Sequence, residues 1–67
     1  MVYLNSSAIR AVGWDKRTLN LDIIFTSGST VYTYFSVPRW KYEGLLAASS
    51  KGTYFNDRIR DQHSCNH

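Results

Sequence analysis

Thr30-Val31-Tyr32-Thr33-Tyr34-Phe35-Ser36-Val37-Pro38 lies near the middle of the 67-residue chain and is its most aromatic, most β-prone run. Val, Tyr, Thr and Phe suit a pleated, half-buried surface. Period-two geometry sends Tyr32 and Tyr34 to one face and Val31, Thr33, Phe35 and Val37 to the other. Large side chains on both faces mark an interior strand, or one whose second face meets helices or a ligand. Pro38 closes the run, because it lacks a ladder donor and biases Val37 toward extended backbone.

Upstream, Leu19, Leu21, Ile23 and Phe25 alternate with Asn20, Asp22, Ile24 and Thr26, the pattern of an amphipathic strand over 19–25. Thr26-Ser27-Gly28-Ser29 supplies a turn, with Gly28 available for positive φ, so this strand and the central run form a hairpin. Residues 8–14 form a further strand with imperfect alternation, and Gly13 within it marks a bulge or a close backbone approach. Asp15-Lys16-Arg17 is the polar break between those two strands. Residues 1–7 read as a lead-in. Short polar connections between successive strands favour an antiparallel meander.

Downstream of Pro38 the period changes. Tyr42, Leu45, Leu46 and Ser49 follow the spacing of a core-facing helical stripe, with Trp40, Glu43 and Ala47 along another line, which predicts a helix over 38–48. Ser49-Ser50-Lys51-Gly52 stops it, Gly52 offering a left-handed position. A second, shorter helix over 53–61 sets Tyr54 or Phe55 with Ile59 on one side and Arg58, Asp61 and Gln62 toward solvent. The expected fold is α+β: a three-stranded antiparallel β-meander followed by two α-helices packed on one face. Residues 1–67 make a single domain with a core of about 6–61 and a frayed tail at 62–67.

A chain this short is near the lower limit for a self-sufficient core. Most of its ten aromatics (two Trp, five Tyr, three Phe) are therefore required for burial, and only a minority can face a ligand. The net charge of +3, from eight basic and five acidic residues, is compatible with a polyanionic partner and equally with simple solubility. A single cysteine, Cys65, excludes an internal disulfide framework. There is neither an N-terminal leader pattern nor an apolar run of the roughly 20 residues that span a bilayer, so a soluble cytoplasmic protein without membrane partner is expected.

Ser6-Ser7, Ile9, Val12-Gly13-Trp14-Asp15, the 19–25 strand, Gly28, Tyr32-Thr33-Tyr34, Val37-Pro38, Ala47-Ala48-Ser49, and Lys51-Gly52 with Tyr54-Phe55-Asn56 and Ile59-Arg60 together make a pattern that resembles the KTSC domain. The resemblance runs from about Ser6 to Arg60, with the central Tyr-x-Tyr motif at Tyr32 and Tyr34. That family is named for its occurrence at the C-terminus of some lysyl-tRNA synthetases and also occurs as a stand-alone small protein in bacteria and phages. In its first motif the family usually carries Tyr where Trp14 stands. RNA binding is the function the resemblance implies.

Tyr32 and Tyr34, about 7 Å apart on one strand face, have the spacing of aromatics that stack unpaired bases, or of core residues under the helices whose hydroxyls reach polar partners. The burial requirement favours the core. Arg39, Lys41, Lys51, Arg58 and Arg60 all fall in the helical half, where cations and a helix start suit phosphate; Glu43, Asp57 and Asp61 among them also fit an ordinary solvated face. Asn56 has the chemistry to bond a base edge, or to tie its helix to a neighbouring loop. Trp40 and Trp14 are the anchors of an alternative protein-interaction patch for an adaptor or inhibitor. His63, Cys65 and His67 have metal-capable chemistry, but a terminal tail without a fourth ligand is not a zinc site, and no metal or cofactor is expected. HExxH, the nucleophile elbow, the P-loop and paired carboxylates are all absent, so the reading is a non-catalytic binding module rather than an enzyme.

Overall fold

A computed structural model describes residues 1–66. Its order is β1 (Val2–Tyr3), β2 (Ile9–Asp15), β3 (Asn20–Phe25), β4 (Val31–Tyr34), α1 (Arg39–Ala47) and α2 (Lys51–Phe55), the last continuing as a wider π-helical turn through Asn56–Arg60. The α+β class and the meander hold, but the antiparallel sheet has four strands in the order β1-β2-β3-β4, not three. The extra strand is the lead-in: Val2 pairs with Val12 and Tyr3 with Ala11. Two residues are too few to display a period, so only tertiary pairing reveals them.

The imperfect alternation of β2 has a physical cause. Ile9 pairs with Phe25 but Ala11 pairs with Ile24, so the register slips at Arg10 and the bulge lies there rather than at Gly13. The slip turns Ile9 to the same face as Val12 and Trp14, and Ile9 and Val12 are fully buried. Gly13 is instead the site of close approach, since a Cβ there would lie 3.3 Å from the Met1 side chain. Cross-strand partners share a face, so Val12, Trp14, Leu21, Ile23, Phe25, Tyr32 and Tyr34 all look toward the helices.

Leu19 does not extend β3. Its backbone is left-handed at φ 62°, closing the β2–β3 turn with its amide donated to Asp15 O at 2.7 Å, and its carbonyl accepts from the Val37 amide at 2.8 Å. Ser36, at φ 58°, is the other left-handed residue, and no glycine takes that conformation. Gly28 and Gly52 therefore serve other ends. Gly52 sits inside α2, where a Cβ would come within 3.0 Å of the Ala8 Cβ; it is there for space between layers.

Leu45 of α1 and Phe55 and Ile59 of the second helical segment complete the core. Phe55 meets Phe25 and Tyr34 edge-on, with centroids 5.2 and 5.3 Å apart. Trp14 stacks on Tyr42 at 5.8 Å and 15° and donates its indole N–H to Val37 O at 2.8 Å. The two helical segments touch where Tyr54 lies over Gly44, in space that a Cβ at Gly44 would take from the Tyr54 hydroxyl.

The tail does not fray over its described length. Residues 63–66 run antiparallel to β4: Phe35 N–H donates to Ser64 O (2.9 Å), Asn66 N–H to Thr33 O (3.1 Å) and Thr33 N–H to Asn66 Oδ1 (2.9 Å), around a Tyr34–Cys65 bridge. His67 lies outside the described residues. No helix among them is long and apolar enough to cross a membrane.

Candidate functional site: the basic surface and the serine cleft

The seven residues proposed for a polyanion surface do not come together. Tyr34 is 8% exposed and packs on Phe55, while Tyr32 is half-buried and meets Phe25 edge-on at 5.5 Å. The central Tyr-x-Tyr motif is therefore part of the layer between sheet and helices, not a platform for bases. Arg39 is exposed but bound to Glu43 at 2.9 Å, one helical turn on. Arg58 and Arg60 are exposed on the π-helical turn, and so is Asn56, which has no hydrogen bond tying its side chain to a neighbouring loop among the described residues.

Lys41 was expected on that surface and is 8% exposed. Its ammonium donates to Gln62 Oε1 at 2.8 Å and to His63 Nε2 at 2.9 Å, and lies 5.6 Å from the Trp40 ring centroid. Sequence period alone does not reveal this, because the partners arrive with the tail. The geometry assigns the His63 tautomer: an ammonium only donates, so Nε2 accepts, and Phe35 O, 3.0 Å from Nδ1, only accepts, so Nδ1 carries the proton. Burial, and secondarily the Lys41 charge, push the His63 pKa below its ordinary value, against an opposing pull from the Phe35 carbonyl. With both its nitrogens engaged, His63 is not poised as a metal ligand. Among the described residues no cluster of three His, Cys, Asp or Glu side chains could hold an ion.

Of the alternative anchors, Trp40 is 61% exposed. Trp14 is not available as one, being stacked on Tyr42 and hydrogen-bonded to Val37.

What sequence reasoning missed is a pair of adjoining depressions at the α1–α2 turn. One, a cleft of about 220 Å³, lies between the β1–β2 loop (Asn5, Ser6, Ser7, Ala8) and the turn Ser49-Ser50-Lys51-Gly52. The other, a more open groove of about 320 Å³, shares Ser49 and Ser50 with the first and continues over Thr53 and Tyr54 to Asp57 and Arg58. Ser50 caps α2, its hydroxyl accepting from the Thr53 amide at 3.4 Å, and Lys51 donates its ammonium to Ala48 O at 2.9 Å, closing the end of α1. The two serine-rich stretches were visible separately; their meeting depends on the fold.

Comparison with known proteins gives the chain its kin. A KTSC domain family model matches residues 5–63. An uncharacterized protein of Stutzerimonas stutzeri is 39% identical over 62 residues, covering 92% of this chain and 86% of its own. A lysine–tRNA ligase of Nostoc punctiforme is 44% identical over 54 residues, which is 81% of this chain but 9% of that enzyme. Among solved structures, a KTSC domain protein from Yersinia pestis superposes with a TM-score of 0.88 at 30% identity, covering 94% of this chain and 87% of that one. Family model, full-length relatives and superposed structure agree, and the chain belongs to the KTSC domain family.

Proposed function

We propose that the protein is a non-catalytic RNA-binding module whose contact surface is the α1–α2 turn with the exposed face of the π-helical turn. The observation that carries this reading is the continuity of the serine cleft with the groove that ends at Arg58; Arg60, two positions on, is exposed on the same turn. Such a track offers hydroxyls, an amide and cations along one path, the donor chemistry that follows a phosphodiester backbone. Two further facts support it: the net charge of +3, and the recurrence of this domain as a segment of lysine–tRNA ligases, enzymes whose name specifies an RNA substrate. Burial of Tyr34 moves the reading away from base stacking and toward backbone contacts, so little sequence preference is expected.

The test is the salt dependence of affinity for single-stranded RNA and for transfer RNA. Binding should weaken steeply with salt, and a double Arg58→Gln, Arg60→Gln protein should lower the log–log slope for single strands by ~1.4, about 0.7 per lost phosphate contact. Undetectable or salt-insensitive binding would remove the reading.

A second reading is favoured by one observation, the 61% exposure of Trp40 with its ring near Lys41. A solvent-facing Trp is a favoured anchor for a protein partner. If that is its use, a folded Trp40→Ala protein loses its partner in pulldown and keeps its RNA affinity.

A further inference from the structure

The serine cleft has a chemistry of its own. Its walls come from loops more than 40 positions apart, and its floor is where Gly52 meets Ala8, a contact that leaves no room for a Cβ on the glycine without displacement. The hydroxyl oxygen of Ser6 already accepts from the Ala8 and Ile9 amides, at 3.1 and 3.3 Å. With that oxygen occupied as an acceptor, what Ser6 has left to offer is its proton. Lys51 spends one of its three N–H bonds on Ala48 O, leaving two for another acceptor. Asn5, Ser7 and Ser49 are exposed along the rim. None of the eight lining residues is Asp or Glu.

A recess rich in donors, with one cation and no carboxylate, complements an anion with several acceptor oxygens. A neutral polyol would leave Lys51 unmatched, and a metal cation would meet the ammonium instead of ligands. We propose that this cleft is a phosphate-group site, with Lys51 and the Ser6, Ser7 and Ser49 hydroxyls as the donors that surround the oxyanion. This goes beyond the RNA reading, because the same chemistry takes a polynucleotide backbone phosphate or a free one.

The experiment is a pair of amide ¹H–¹⁵N titrations, one with inorganic phosphate and one with a short oligoribonucleotide, each against sodium chloride at matched ionic strength. Saturable phosphate shifts confined to residues 5–8 and 49–52 are expected, with at least fivefold weaker binding in Lys51→Gln and in a Ser7→Ala, Ser49→Ala double variant that leaves the Ala48 contact intact. If the oligonucleotide moves the same amides, the phosphate comes from a backbone. If inorganic phosphate saturates the cleft and the oligonucleotide does not bind, the site stands as one for free phosphate, and the RNA reading falls. Phosphate shifts equal to those in chloride would overturn the proposal; if an oligonucleotide then still moves residues around Arg58 and Arg60, RNA binding survives without the cleft.

Discussion

His63 Nε2 lies 2.9 Å from the Lys41 ammonium, and the pair joins the last described residues to α1. The contact exists only while His63 is neutral: protonation would convert the acceptor to a donor and set two cations face to face. Lys41, Gln62, the Trp40 ring and Phe35 O lie around this contact.

The pH dependence follows with a definite sign. The folded-state pKa of His63 is lowered, by burial first, so below about 6.5 the unfolded chain binds more protons than the folded one. The contribution of the contact is complete above that pH and is lost as pH falls toward the folded value. Urea midpoints should therefore drop between pH 7.5 and 5.5, and a His63→Gln protein, which cannot gain the charge, should show a shallower drop. Equal slopes for the two proteins would refute the assignment.

Tyr34 should ionise late. Burial, then the Cys65 thiol beside it, push its phenol up to about 12. Its unfolded counterpart ionises near 10, so stability present below pH 10 is lost as pH rises from there toward 12. Absorbance titration at 295 nm should show a late phase that a Tyr34→Phe protein lacks, and Cys65→Ala should bring it down; a late phase insensitive to that change would place the cause elsewhere.

Gly44 tests the helix contact. Alanine normally gains about 1 kcal/mol over glycine within a helix, yet here its Cβ would occupy the Tyr54 hydroxyl's space. Gly44→Ala should therefore destabilise by about 1–3 kcal/mol. In a Tyr54→Ala background the same substitution should become stabilising by up to about 1 kcal/mol, a reversal that a double-mutant cycle in denaturant reads directly.

Trp14→Phe keeps an aromatic against Tyr42 but removes the N–H that reaches Val37 O. A loss of about 1–2 kcal/mol is expected from the unmade bond and reduced contact area. Trp14→Ala should cost about 3–5 kcal/mol. If the phenylalanine variant matches the parent, the indole N–H has no structural role.

The parts of this fold that depend on local period were legible in the chain: the alternation from Leu21 to Phe25, the Pro38 boundary, and the stripe of Tyr42, Leu45 and Leu46. The parts that depend on edges and layers were not. Val2–Tyr3 and residues 63–66 are each too short to carry a pattern and are held by pairing, the first with the next strand and the second with β4, remote in sequence. Leu19 and Ser36 take left-handed backbone where sequence favours Gly28, because the Leu19 carbonyl must meet the Val37 amide. The candidate site divides the same way. Arg58 is exposed as its helical spacing predicts, whereas Lys41 is withdrawn by the tail and the serine cleft arises from two loops whose proximity no linear reading contains.

The placement of residues 63–66 along β4 also bears on how the protein behaves in crowded solution. A strand with free amides is a template on which other chains can grow, and Val31–Tyr34 is rich in the β-branched and aromatic residues that fibrils favour. Here one margin of the sheet is sheathed by the chain's own end and the opposite margin is a strand of two residues. Residues 63–66 thus cover the β4 edge with their own backbone, and a chain shortened before them would present that edge's unpaired amides to other chains.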